Sequence, residues 1–279
     1  MEENHVLSAM HVDDFFLHLQ EEEKSPITIE KYLRDIRMFQ EFIGEKEVTK
    51  QKTIEYKQHL MDNGYAAASI NSMLAAVNSL MQFLEWQDCK VKTVRVQRKI
   101  YCREEKELTK AEYLRLLDAA RDQRLNLILQ TLCSTGIRVS ELKYFTVEAV
   151  KQGEVIVRCK NKTRTILIPI QLKKRLLAYA KSKKIKGKQI FITNTGKPVD
   201  RSNIWTQMKK LCQEAEVNPE KVFPHNLRKL FARTFYHMDK DIAKLADILG
   251  HGNIETTRIY IMSTGAEHRR KIEKMGLII

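Results

Sequence analysis

Paired cysteines, long apolar runs and a leader segment are all missing from this sequence of 279 residues. Its five cysteines, Cys89, Cys102, Cys133, Cys159 and Cys212, are scattered and form no CxxC pair. That spacing argues against a zinc site or a disulfide framework and fits a reducing compartment, the cytoplasm. No uncharged apolar run is long enough to span a bilayer, so no membrane partner is expected. The N-terminus, MEENHVLSAM, is acidic where a secretory signal would be basic and then apolar. No internal repeat is evident, and the lysine cluster at 181–188 is the nearest approach to low complexity. Acidic side chains are also in short supply, 35 against 49 Lys and Arg, for a formal net charge of +14. With 43% hydrophobic residues the chain can build a sizeable core, which excludes global disorder.

The charge is unevenly placed. Residues 1–100 carry 13 basic and 16 acidic side chains, so the remaining residues hold an excess of +17. A basic surface of that size favours a polyanion, nucleic acid first and an anionic membrane surface second. The plainer alternative is a solvated basic surface.

The first ninety residues read as helices with short turns. Val12 to Leu19 is apolar on one face. Ser25-Pro26 starts a second helix, in which Ile29, Tyr32, Leu33, Ile36, Phe39 and Ile43 follow helical spacing up to a glycine cap at Gly44. Thr49 caps a third helix ending near Asn63-Gly64, and Ala67 to Trp86 makes a fourth, with small residues (Ala67, Ala68, Ala75, Ala76) permitting close packing. The expectation is a four-helix bundle over residues 1–90. Residues 91–107 are polar and basic and read as a linker. A second domain follows over 108–279. Thr109 and Glu112 form a capping box, and an apolar helix lies around Leu125–Leu132. Glu154–Cys159 and Thr165–Ile170 read as a hairpin, Gln189–Thr193 as a third strand, and everything after Asp200 as helix. The expected fold class is mainly α with a small antiparallel β-sheet.

Four local patterns carry chemistry. In Ser134-Thr135-Gly136-Ile137-Arg138-Val139-Ser140-Glu141-Leu142, Gly136 permits a tight turn and Glu141 stands where it can orient Arg138. In Pro224-His225-Asn226-Leu227-Arg228, His225 and Arg228 share one helical face near a helix start, as an anion site would need. Leu249-Gly250-His251-Gly252 puts an imidazole at a helix end. Thr256-Thr257-Arg258-Ile259-Tyr260 supplies a phenol, a poor nucleophile unless its surroundings stabilise the phenolate. Each alone reads as well as a surface ion pair, a polar face, a structural histidine or a half-buried tyrosine.

Taken together, TGIRVSEL, a lysine-bearing hairpin, HNLR and LGHGNIETTRIY, with Tyr260 nine residues after His251, resemble the tyrosine site-specific recombinases, the phage-integrase or Xer-type family. SPITIEKYLRDIRMFQEFI also looks like that family's core-binding domain. The resemblance implies an N-terminal helical core-binding bundle and a C-terminal tyrosine-recombinase catalytic domain. It implies an enzyme that cleaves and rejoins duplex DNA through a 3′-phosphotyrosine on Tyr260. Arg138 and Arg228 would hold the non-bridging phosphate oxygens, and Lys160 would protonate the leaving 5′-oxygen. His225 would serve as base or hydrogen-bond partner in proton traffic, His251 would stabilise the phosphate and position Tyr260, and Glu141 would orient the cationic cluster. The hairpin is one residue shorter than the family's usual K-G-x-K-x-R, so Lys162 is the alternative acid. Lys229 stands where the family usually has a second histidine. No cofactor, no metal and no ATP are expected.

By the same resemblance the partners would be double-stranded DNA with inverted-repeat core sites and three further copies of the chain. The synaptic homo-tetramer would be joined through the tail after Tyr260, the alternative being a tail docked on its own subunit. The two domains could close on DNA as a clamp. Base readout would come from helices of both domains, the one around Ala66–Leu84 in the bundle and the one bearing Arg201, Asn203, Lys209 and Lys210 in the second domain. DNA contacts are expected from Lys31, Arg34 and Lys57 in the bundle, and from Lys162, Arg164, Arg201, Asn203, Lys209 and Lys210 beyond it. No N-terminal arm-binding domain is evident. The competing classes are a DNA-binding regulator that does not cleave and a topoisomerase-like nicking enzyme.

Overall fold

Side-chain caps fix most of the helix starts. In the computed structural model, which describes residues 5–96, 101–102, 106–159, 162–185, 189–193 and 195–277, Ser8 opens α1 (Ala9–Glu21). Ser25 with Pro26 opens α2 (Pro26–Ile43), and Thr49 opens α3 (Lys50–Asp62). Each cap side chain accepts a backbone N–H that the first turn would otherwise leave unpaired. The fourth helix, α4 (Ala67–Phe83), has no side-chain cap. Its start is held by burial of Ile70, Met73 and Leu74 instead. These helices enclose one core, with Phe15, Leu19, Ile36, Phe39, Tyr56, Leu74, Val77 and Leu80 almost wholly buried. Of the small residues on α4 only Ala76 is buried; Ala68 and Ala75 face solvent.

The chain divides into two units, Met1–Arg98 and Lys99–Ile279. Residues 91–96 belong with the bundle. Asn78 exchanges hydrogen bonds with the backbone of Val91 at 2.8 and 2.9 Å, and Asn71 does the same with Val94.

In the second unit the Thr109–Glu112 capping box starts α5 (Lys110–Ala119), and Asp122 caps α6 (Gln123–Thr135). A 3₁₀ turn (Val139–Tyr144) and α7 (Val147–Gln152) lead to the hairpin. Strands β1 (Glu154–Cys159) and β2 (Lys162–Leu167) pair antiparallel, with Glu154 opposite Leu167 and Cys159 opposite Lys162. The second strand therefore starts three residues earlier than Thr165. Ile170, expected at its end, is instead the first residue of α8 (Ile170–Ser182), because Pro169 cannot donate to the ladder and suits a helix entry. Gln189–Thr193 forms no strand. Ile192 makes one isolated bridge to Pro198, whose missing N–H stops the ladder, and the Thr193 N–H donates to the Lys197 carbonyl beside it. Ile190 and Phe191 are still buried in the domain core.

The rest is helical: α9 (Arg201–Glu214), α10 (Pro224–Asp239), α11 (Ile242–Leu249), α12 (Ile254–Ile261) and α13 (Gly265–Glu273). A satellite cluster of Ala232, Leu245, Leu249 and Tyr260 ties α10, α11 and α12 together. Among the described residues no helix is long and apolar enough to cross a membrane.

Candidate active site

The site is organised by the C-terminus of α11. The backbone turns there through Gly250, at φ +65°, and the N–H groups of Gly250 and His251 cap the carbonyls of Ala246 and Asp247. The next three carbonyls, with no helical donor left to them, each take an arginine. Ile248 accepts from Arg164 Nη1 at 2.8 Å, Leu249 from Arg228 Nη2 at 2.6 Å, and Gly250 from Arg138 Nη2 at 3.5 Å. The negative end of the helix dipole favours cations at this spot. Glycine is needed at 250 twice over: a Cβ would stand 2.7 Å from Arg164 Cδ, and φ is positive.

Arg228 is 1% exposed, which is rare for a charged side chain without a carboxylate partner. Its second nitrogen, Nη1, donates to the Gly136 carbonyl at the end of α6, so the guanidinium bridges two helix C-termini. Burial, and after it the charge of Arg138, lowers its pKa to about 10, which leaves it cationic at neutral pH. Its Nε is buried and has no hydrogen-bond partner among the described residues.

Glu141, 3% exposed, is the anion of the cluster. It accepts from the Arg138 backbone N–H at 2.7 Å, from Arg138 Nη1 at 3.1 Å and from Arg164 Nη2 at 2.5 Å. Arg138 and Glu141 are therefore in contact, as their i, i+3 spacing predicts. Arg138 stands at the cap of a 3₁₀ turn rather than inside an α-helix, and its side chain is 41% exposed.

Both histidines abut the phenol. The Tyr260 hydroxyl lies 3.4 Å from His225 Nδ1, and the two imidazole rings meet the phenol ring edge-on at 4.9 and 5.0 Å. Tyr260 is only 7% exposed. His251 Nε2 is 3.0 Å from Arg228 Nη2, which can only donate, so Nε2 accepts. Nδ1 then carries the proton and donates to Thr257 Oγ1 at 2.8 Å. Burial, then Arg228 and Arg138, lower the His251 pKa to about 4. Burial, then Lys229, Arg228 and Arg138, lower that of His225. Both imidazoles are neutral at pH 7.

A second charged group backs α10. Glu107, 5% exposed, pairs with Lys229 at 3.1 Å and Arg233 at 3.6 Å, and Arg233 reaches Glu267 on α13 at 3.4 Å. Lys229 thus has its own buried counter-ion.

The structure brings Arg138, Glu141, His225, Arg228, His251 and Tyr260 together. Lys160 lies outside the described residues, as does the side chain of Lys162. Arg164, expected on DNA, is instead 13% exposed inside the cluster. Lys31 and Arg34 both pair with the buried Asp35, at 2.5 and 3.0 Å, and Lys57 bonds the Lys92 carbonyl at 3.0 Å. Arg201, Asn203 and Lys210 are exposed on α9. Lys209 bonds the Pro219 carbonyl and lies over the Trp205 ring. Sequence reasoning passed over Thr257, although it lies one turn before Tyr260 on the same face, and over Glu107.

The comparisons with known proteins agree with this geometry. Residues 106–267 match the phage integrase family, and residues 12–88 match the phage integrase N-terminal SAM-like domain. A tyrosine recombinase XerA of Thermococcus kodakarensis is 30% identical, over 96% of this chain and 95% of that protein. A lambda integrase dimer bound to a COC′ core site has the same fold, with a TM-score of 0.76 at 18% identity, covering 93% of this chain and 96% of that one. A lambda integrase tetramer bound to a Holliday junction gives 0.73 at 17% identity, covering 93% and 78%. The chain belongs to the phage integrase family, as a tyrosine recombinase.

Proposed function

We propose that this protein is a site-specific DNA recombinase in which Tyr260 attacks a backbone phosphate of duplex DNA. The observation that carries the reading is the convergence of Arg138 and Arg228 on adjacent carbonyls, with the Tyr260 hydroxyl beside a neutral imidazole. The phenol proton passes to His225, whose lowered pKa keeps its lone pair available at neutral pH. The Tyr260 oxygen bonds to phosphorus and the bond to the 5′-oxygen breaks. That oxygen takes a proton from the hairpin lysine, Lys160 or Lys162. Negative charge gathers on the non-bridging oxygens, where Arg138 has an exposed fork to offer and the buried Arg228 adds a fixed positive charge behind it. His251, held between Arg228 and Thr257, fixes the ring of Tyr260. The phosphotyrosine retains the energy of the broken bond, so attack by a new 5′-hydroxyl reseals the strand without ATP.

The DNA partner is a pair of inverted-repeat core sites, with the bundle of residues 1–90 as the clamp and the exposed Arg201, Asn203 and Lys210 as backbone contacts. We infer a synaptic tetramer in the cytoplasm. The start of the tail is tied to its own subunit, where Ser263 accepts from the Cys102 N–H at 3.0 Å and Glu267 meets Arg233. Ile272, Met275 and Leu277 further along are 55–79% exposed and suit a neighbouring subunit. A nicked suicide duplex carrying core sites selected from random DNA tests the chemistry. Wild type should leave a covalent protein–DNA band, and Tyr260→Phe none. Tight binding with no covalent band from wild type would favour the non-cleaving regulator.

A further inference from the structure

Within the first unit, three metal-ligating side chains with no role assigned above meet. Asp88 and Cys89 are neighbours in a 3₁₀ turn (Gln87–Cys89), and His5 comes from the chain start. His5 Nε2 is 3.6 Å from Asp88 Oδ1, and Cys89 Sγ is 3.6 Å from Asp88 Oδ2. One ligand atom from each lies within 4.8 Å of the others. Bonds of about 2.0–2.3 Å to a tetrahedral metal place neighbouring ligands about 3.3–3.7 Å apart. The His5 and Cys89 contacts use different oxygens of Asp88, so a rotation of this exposed carboxylate is needed to turn one oxygen toward both donors and draw the three ligand atoms in.

The position is built rather than incidental. The His5 ring stacks on Trp86 at 4.7 Å, and the His5 carbonyl accepts the Val48 N–H at 2.7 Å. Val6 bridges Glu47 antiparallel, which anchors the segment that carries His5. Cys89 is fully buried and Asp88 faces solvent, so the triangle has a dry floor and an open side through which an ion enters. Imidazole nitrogen, thiolate sulfur and one carboxylate oxygen form a donor set of intermediate softness. That set suits Zn²⁺ and is wrong for Mg²⁺ or Ca²⁺, which take oxygen.

We propose that His5, Asp88 and Cys89 bind a zinc ion that clasps the N-terminal segment to the end of the bundle, with solvent as the fourth ligand. Binding replaces the thiol proton, which leaves to solvent, and no electron is transferred. The recombination chemistry uses no part of this site, so its role is to hold the bundle's terminal segment in place.

The test is a Co²⁺ titration of the metal-stripped full-length protein, followed by the near-ultraviolet thiolate-to-cobalt charge-transfer band, then displacement by Zn²⁺. One equivalent should produce the band, and Zn²⁺ should abolish it and raise the thermal midpoint. Cys89 lies in the core, so Cys89→Ser could fail to fold. The deciding variants are His5→Ala and Asp88→Asn, which retain all five cysteines. Each should weaken metal binding by about tenfold or more and remove the thermal shift. No band from wild type, a band of equal strength in His5→Ala, or an equal zinc shift in both variants would overturn the proposal.

Discussion

Replacing Glu141 by glutamine removes one charge and keeps the shape. In the native protein its carboxylate takes three donors, two from Arg138 and one from Arg164. The two halves of this arrangement differ in worth. Arg138 is 41% exposed, so water screens its pair with Glu141, which contributes about 0.5 kcal/mol. Arg164 and Glu141 are 13% and 4% exposed, and removing one charge from so buried a pair costs about 3 kcal/mol. An amide also turns an N–H₂ toward one of the two guanidinium groups, where donor meets donor. The expected loss is therefore about 3 kcal/mol for the second unit alone. Urea unfolding followed by Trp205 fluorescence, in a Trp86→Phe background, reports that unit. The suicide duplex should show slower covalent capture as well, since Arg138 loses its brace. Adding Arg164→Met should recover part of the stability, because the positive charge that Glu141 no longer balances is then gone. A loss below about 0.5 kcal/mol, the value of a surface pair, would refute the assignment of Glu141 as the anion that holds the cluster together.

Other outcomes follow from the same geometry. His251 has a folded pKa of about 4, below its unfolded value of 6.5, so the unfolded chain binds more protons between those limits. Thermal stability should fall as pH drops from 6.5 toward 4, and His251→Asn should flatten that part of the profile; an unchanged slope counts against the buried neutral imidazole. Gly250→Ala forces a Cβ onto Arg164 at positive φ, and strain of about 1–2 kcal/mol with a large loss of cleavage is expected, while DNA binding in a gel shift persists. Thr257→Val removes the Nδ1 acceptor of His251 and should slow covalent capture at unchanged DNA affinity, whereas Thr257→Ser should retain it. Glu107→Gln leaves Lys229 without its counter-ion and Arg233 with Glu267 alone, and should cost about 3 kcal/mol of stability.

The motif residues were legible because their geometry is local. Arg138 with Glu141, and His225 with Arg228, are three apart and meet on one face of a turn. The caps Ser25, Thr49 and Thr109 also read directly, since each depends on only four consecutive residues. What stayed hidden depends on partners far along the chain. The carbonyls of 248–250 have no side-chain signature, so nothing in the sequence announces them as arginine acceptors. Arg164 was expected as a DNA contact, and its partner Glu141, 23 residues away, could not be read locally. The pairing of Lys31 and Arg34 with Asp35 was also hidden, because a buried aspartate beside them on α2 has no signature in the sequence. The His5, Asp88 and Cys89 triangle escaped because a CxxC search finds only ligands close in sequence.

The three arginines resting on successive carbonyls have a consequence for how this enzyme tolerates change. Helix α11 contributes no reactive side chain, yet its last turn sets the aim of every cation in the cluster. Trimming Leu245 or Leu249, both sealed beneath it, would let that turn settle and swing all three guanidinium groups together. Variation in α11 should therefore surface in genetic screens as lost strand exchange.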